Sequence, residues 1–327
     1  MQIAKLPGSM RRAALRGVRR AVACTLLALS GCAGHGLVLH DHPLVGRIVE
    51  VDGGRALPLD QALARMAAAD ALLLGEVHDN PVHHRLQLKV LQHVESTRAP
   101  ALAMEQFDSE YQAAIDAARS APEASAESLA DAGRFAREGW GWPLYKPLVD
   151  EAVAHGLPLV AINLSRAEAR RVAREGFDAM PAGAGRQVVD KPWTTERQRQ
   201  LEEAIRVGHC GQVSPHVMKM IVTAQRSRDA VMAANIAPHL SRGVVAILGS
   251  GHARRDLGVP QYLQRLAPDR HALSVGLVEV REGLDSPADY PAVAQGLFDL
   301  VWFTPLFERP DPCDRLSAAA MSKAMKK

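Results

Sequence analysis

The chain has 327 residues, 47% of them hydrophobic and 23% charged, a globular composition that excludes an intrinsically disordered chain. A mean hydropathy of −0.08 excludes a multi-span membrane protein, and the length fits one large domain or one domain with a smaller companion. The formal charge is +3, but Lys5, Arg11, Arg12, Arg16, Arg19 and Arg20 fall within residues 1–31 beside no acid. Without those six the chain carries −3, so a nucleic-acid footprint has no support and no nucleic-acid partner is expected.

In chain order, the basic stretch is followed by the apolar run AVACTLLAL and then Ser30-Gly31-Cys32. This is the order of a secretory signal, and its apolar run is too short for a permanent membrane span. Leu29-Ser30-Gly31-Cys32 resembles the bacterial lipobox, so residues 1–31 are expected to be removed and Cys32 to carry the lipid. Ala33 after the cysteine favours the outer membrane, with the domain on its periplasmic face. Residues 32–43 read as a tether, and 44–327 as the folded domain. Of the four cysteines, Cys24 leaves with the signal and Cys32 takes the lipid. Cys210 and Cys313 then share an oxidising compartment and are free to pair, though their spacing says nothing of proximity.

Short apolar runs at 71–74, 101–104, 158–162, 244–248 and 273–280 have the length of buried strands. Helical patterns lie between them, two of them opened by Asn80-Pro81 and Ser214-Pro215, each a capping residue followed by proline. This alternation predicts an α/β fold, a mostly parallel central sheet flanked by helices. Further helical patterns at about 165–176, 194–207 and 215–238, and the polar stretch 109–139, predict a small all-helical subdomain from one or both insertions.

In open α/β sheets, ligands bind beyond the carboxyl ends of the strands. The first strand runs into Gly75-Glu76-Val77-His78, the second ends in Met104-Glu105-Gln106, the third in Asn163, and the fourth runs into Gly249-Ser250-Gly251-His252. Two Gly-x-x-His turns and two glutamates at one edge predict a functional cleft. In extended backbone Glu76 and His78 point the same way. His83 and His84 follow in the first turn of the next helix, about 100° apart on the wheel, so at most one faces the cleft. On the helix from Ser214, Gln225 and Asp229 interrupt an apolar stripe, and a buried carboxylate there needs a partner. Trp140-Gly-Trp-Pro-Leu-Tyr145 gathers aromatics into a flat wall suited to a planar ligand.

LLGEVHDNPVHHRLQ, AMEQF, LPLVAINLSR, ILGSGHARRDLGVP and LVWFTPLFERPDPC together resemble the ChaN-type haem-binding lipoproteins of the Tiki superfamily, which also includes erythromycin esterases. The resemblance covers most of residues 70–313. It implies a lipid-anchored protein of haem-iron uptake that holds haem non-covalently and forms a homodimer on binding it. An outer-membrane haem receptor or a periplasmic haem carrier is the implied partner. The iron ligand expected from the resemblance is a tyrosinate. Tyr145 is favoured for the wall beside it, ahead of Tyr111, Tyr262 and Tyr290, with Trp142 in the wall and His83 or His84 on a propionate. The alternative is a periplasmic hydrolase, a peptidase or esterase, in which Glu76, His78, Glu105 and His252 hold a divalent metal and activate a water.

Overall fold

The computed structural model describes residues 36–189, 193–311 and 313. The signal segment and Cys32 lie outside the described residues. The described residues from Leu37 onward form one unit.

Ten strands are present among the described residues: β1 Leu37–Val38, β2 Ile48–Glu50, β3 Arg55–Leu57, β4 Ala71–Glu76, β5 Ala101–Asp108, β6 Leu159–Asn163, β7 Val244–Gly249, β8 Ala272–Glu279, β9 Leu300–Thr304 and β10 Leu306–Phe307. Eight of them form one sheet in the order β3-β2-β9-β8-β4-β7-β5-β6, and β1 pairs with β10 as a separate ribbon. Neighbours from β9 to β6 are parallel, whereas β2 runs antiparallel to both β9 and β3. The expected fold class holds, and the antiparallel corner is an addition to it. Residues 37–43, read as tether, are fixed to the domain instead. β1 lies against β10, and His42 sits within 3.3 Å of Asp285.

Every residue of β4 and β7 is buried because helices cover both faces. Alternate side chains feed two cores. Leu72, Leu74, Met104 and Ile247 pack under helices Pro81–Glu95 and Trp142–Ala154. Leu73, Ala103, Ala246 and Leu248 pack under helices Pro215–Ile236 and Val259–Leu266. The two capping signatures act as read: Asn80 accepts from the Val82 amide at 2.9 Å and Ser214 from the Val217 amide at 3.4 Å.

The stretch 109–139 forms helices Gln112–Arg119, Ala126–Ala132 and the start of Arg137–Trp140, and its Ile115, Leu129 and Phe135 join the first core. The later insertion carries helices Arg166–Glu175, Ala184–Val189, Thr195–Gly208 and Pro215–Ile236. Within it Leu201, Ile205, Met218 and Val222, with Leu257, make a small core of their own. Cys210 and Cys313 are disulfide-bonded across a sequence separation of 103, which ties the tip of this insertion to the segment that follows β10.

Candidate functional site

The chain leaves β4 and β5 for helices on the first face, and leaves β6 and β7 for helices on the second. β7 lies between β4 and β5, so connections diverge on both sides of it. A crevice opens where such connections diverge, at the carboxyl edge. The four expected residues meet there. Register sets Glu76 beside Gly249. β5 runs on past Met104 to Asp108 through an irregularity against β6, which leaves both Glu105 and Gln106 buried.

Glu76 is the buried hub. Its carboxylate accepts from His78 Nδ1 at 2.8 Å, Gln87 Nε2 at 2.6 Å, Gln106 Nε2 at 3.3 Å and the Tyr145 hydroxyl. The His78 side chain is 42% exposed and stands edge-on to Trp140, with ring centroids 4.8 Å apart. Burial opposes its charge, but the Glu76 hydrogen bond and the Glu105 carboxylate outweigh that and raise its pKa. The ring rests over Gly249, where a Cβ would lie 3.0 Å from it and 3.5 Å from Glu105 Oε2. Glu105 accepts from the Gly249 amide at 2.7 Å and faces His252 Nε2 at 3.5 Å. His252 Nδ1 lies 2.5 Å from Asp229 and 3.0 Å from Gln225 Nε2. Burial works against the imidazolium, yet the Glu105 and Asp229 carboxylates on either side push its pKa up to about 9. The two Gly-x-x-His segments thus deliver imidazoles to one row by different backbones: an extended exit for His78, and the short helix Ser250–Ala253 for His252.

Other expected residues take different places. Tyr145 is fully buried, and burial, then the Glu76 charge and hydrogen bond, raise its phenol far above the ordinary value. The Tyr145 phenol donates to the Glu76 carboxylate, and a tyrosinate there would lie against that negative charge. Tyr262 and Tyr290 are buried too. Tyr111, half-buried, carries the Arg134 guanidinium 5.0 Å from its ring centre. His83 and His84 are both buried, which leaves neither to reach a propionate. His83 accepts from the Val77 amide and bonds Thr304, with burial and then its neighbour His84 holding its pKa down at about 3. His84 bonds the His78 carbonyl and stacks edge-on against Tyr145. Trp142 is buried against Phe135 and donates to Glu127, so the wall at the cleft is Trp140.

Beside the row lies a cavity of about 470 Å³, within the range of small-molecule sites. Glu105 and His252 line it together with Trp140, Arg134, Arg166 and Arg228. Sequence reasoning missed the three arginines. Arg134 holds a left-handed backbone (φ 49°), and Arg228 donates to Asn163 at 2.7 Å. Three guanidiniums and an indole, with the Glu105 and Asp108 carboxylates also in the lining, suit a flat molecule that carries anionic groups. A haem suits the cavity's lining, with Trp140 for the ring and the arginines for propionates; His78 is not itself in that lining but stands next to it against Trp140, its Nδ1 held by the Glu76 carboxylate as is usual for metal-bound histidines. Among the described residues the group of three or more His, Cys, Asp or Glu with donors within 4.8 Å of one another is Glu95, Glu151 and His155, which is not part of the cleft.

No curated protein matches the chain. Among solved structures it is similar to ChaN of Campylobacter jejuni, described as binding haem cofacially, with a TM-score of 0.63 and 21% identity over 78% of this chain and 95% of that one. That likeness shows the fold. It is more distantly similar to RRSP, a MARTX toxin effector domain from Vibrio vulnificus, with a TM-score of 0.40 and 16% identity over 70% of this chain and 37% of that one. For the erythromycin esterase EreC the TM-score is 0.39, with 9% identity over 67% and 72%. The family described as haem-binding uptake, Tiki superfamily, ChaN, matches residues 62–263, more than half of the chain. The chain therefore belongs to the ChaN haem-binding uptake family of the Tiki superfamily.

Proposed function

We propose that this protein is a lipid-anchored haem-binding protein of iron uptake, held by Cys32 on the periplasmic face of the outer membrane, and that its haem site is the cleft at the carboxyl edge of the sheet. The observation that carries this reading is the juxtaposition of His78, backed by the buried Glu76 carboxylate, with Trp140 and a cavity lined by three arginines. His78 holds the iron, Trp140 covers the ring, and Arg134, Arg166 and Arg228 take the propionates. Bound haem supplies an iron centre for storage or hand-over, and the residues around it orient it and limit water. Homodimerisation on haem binding, and delivery to or from a receptor or carrier, belong to the same reading. Cofacial haem binding in the Campylobacter protein is in keeping with a dimer.

Gel filtration of the protein mixed with haemin tests this. Haem should co-elute with the protein, with a shifted Soret band and at the dimer position. Haemin that elutes free of protein overturns the reading. The hydrolase reading finds little support: the four donors do not gather around one metal position, and an imidazole held as the cation by two carboxylates is a poor general base.

A further inference from the structure

The cleft edge and the membrane anchor are joined by very little chain. Gly36, the first described residue, leads into β1, which pairs with β10. β10 begins two residues after β9 ends, beyond the carboxyl edge of the parallel strands. From Cys32 to Gly36 is four residue steps, at most about 14 Å of extended chain. In the lipoprotein reading, a lipid on Cys32 has no more than that length of chain between it and the edge.

A second observation, from side chains far along the sequence, points the same way. Helix Pro215–Ile236 returns the chain to the amino end of β7, so it runs antiparallel to the strands. Its 22 residues span about 33 Å at 1.5 Å each, whereas six-residue β7 spans about 20 Å. Gln225 already contacts His252 at the carboxyl edge, so residues 215–224 project past it, paired with helix Thr195–Gly208 through Leu201, Ile205, Met218 and Val222. The tip of this hairpin exposes Val207 (69%) and Val217 (43%). Leu59, 39% exposed, starts the helix that follows β3, also toward the carboxyl edge. These three are the exposed large hydrophobic residues among the described ones, and none lies in the amino-edge turns at 97–100, 155–158, 239–243 or 267–271. Between residues 204 and 228 there is no acid, and Lys219 stands exposed at the tip beside Arg206, which is ion-paired with Glu203. Apolar side chains with flanking cations suit a phosphate-bearing lipid surface.

We propose that the carboxyl edge, with the hairpin tip 206–219 and Leu59, rests on the bilayer surface, so that the haem cleft opens at the lipid–water boundary. This orientation depends on the lipoprotein reading above. Haem, an amphiphile, then enters and leaves at the membrane face, and the polar amino edge points into the periplasm.

The test uses the full-length protein, lipidated and reconstituted in vesicles of phosphatidylethanolamine and phosphatidylglycerol. A photoreactive benzoylphenylalanine replaces Val217, Leu59 or, at the amino edge, Ser241; all three positions are exposed, so each variant keeps its packing. After illumination, the Val217 and Leu59 proteins should gain the mass of one phospholipid and the Ser241 protein should not. Adducts at Ser241 equal to those at Val217, or no adduct at Val217 in protein whose N-terminal peptide carries the lipid mass, overturn the orientation alone. An N-terminal peptide without lipid overturns the lipoprotein reading and the orientation with it.

Discussion

Glu76 sets the protonation of its neighbours. A buried carboxylate with four donors around it keeps Tyr145 as a phenol and His78 as a proton-bearing imidazole. Tyr145→Phe removes one donor to a charged acceptor, which should cost about 1.5–3 kcal/mol in urea denaturation. The haem spectrum of this variant should match that of the wild type if His78, and not the phenol, holds the iron as proposed. Disappearance of a phenolate charge-transfer band would instead make Tyr145 a ligand. At this scale the sequence was readable wherever a residue was out of place for its element. Two glutamates and two Gly-x-x-His segments at strand ends announced the row, and Asp229 on an apolar stripe announced the need for a partner, which His252 supplies. Arg134, Arg166 and Arg228 gave no such signal, since arginine is ordinary on helices and loops and only the fold turns these three inward.

The ends of β4 and β7 meet with little space for a side chain at Gly75 or Gly249. A Cβ on Gly249 would press on the His78 ring at 3.0 Å, and one on Gly75 would lie 2.7 Å from Ala253 Cβ. Gly249→Ala should leave the fold intact and displace His78, weakening haem binding by tenfold or more, about 1.4 kcal/mol. Gly75→Ala should instead lower stability by about 1–3 kcal/mol through overpacking. Equal haem affinity in the Gly249 variant would contradict the placement of His78. The histidines also predict a pH profile for the haem-free protein. His83 has a folded pKa of about 3 against an ordinary 6.5, so the unfolded chain binds more protons and stability is lost as pH falls below about 6.5. His252 has the opposite sign: its contribution is full below about 6.5 and is lost as pH climbs through about 9. Denaturation at about pH 5, 7 and 9.5 checks both limbs. His83→Gln should flatten the acid one and His252→Gln the alkaline one. Among elements, five of the six parallel strands were legible from continuous apolar runs. β2, β3 and β10 were not, because two or three residues carry no period, and β9 passed unread as a strand within LVWFTPLF.

Across the whole molecule, the Cys210–Cys313 bridge joins points 103 residues apart. Closing a loop of that length is worth about 4–5 kcal/mol in the chain-entropy account. Reducing agent, or the Cys210→Ala, Cys313→Ala pair, should therefore lower the thermal midpoint substantially, and an unchanged midpoint would show that the helical insertion holds without it. The sequence allowed this pairing but did not specify it, since proximity across such a separation exists only once the insertion has folded back over the sheet. The family, the sheet and the cleft were legible together because the chemistry sits at strand ends, where pattern and function coincide. The central claim, that haem is held in this cleft by His78, is tested most directly by titrating haemin into the wild type and His78→Ala and following the Soret band. Saturable binding by the wild type, with a changed spectrum and much weaker binding in the variant, is the result expected. Haemin that leaves the wild-type spectrum unperturbed, or binds both proteins identically, would contradict it.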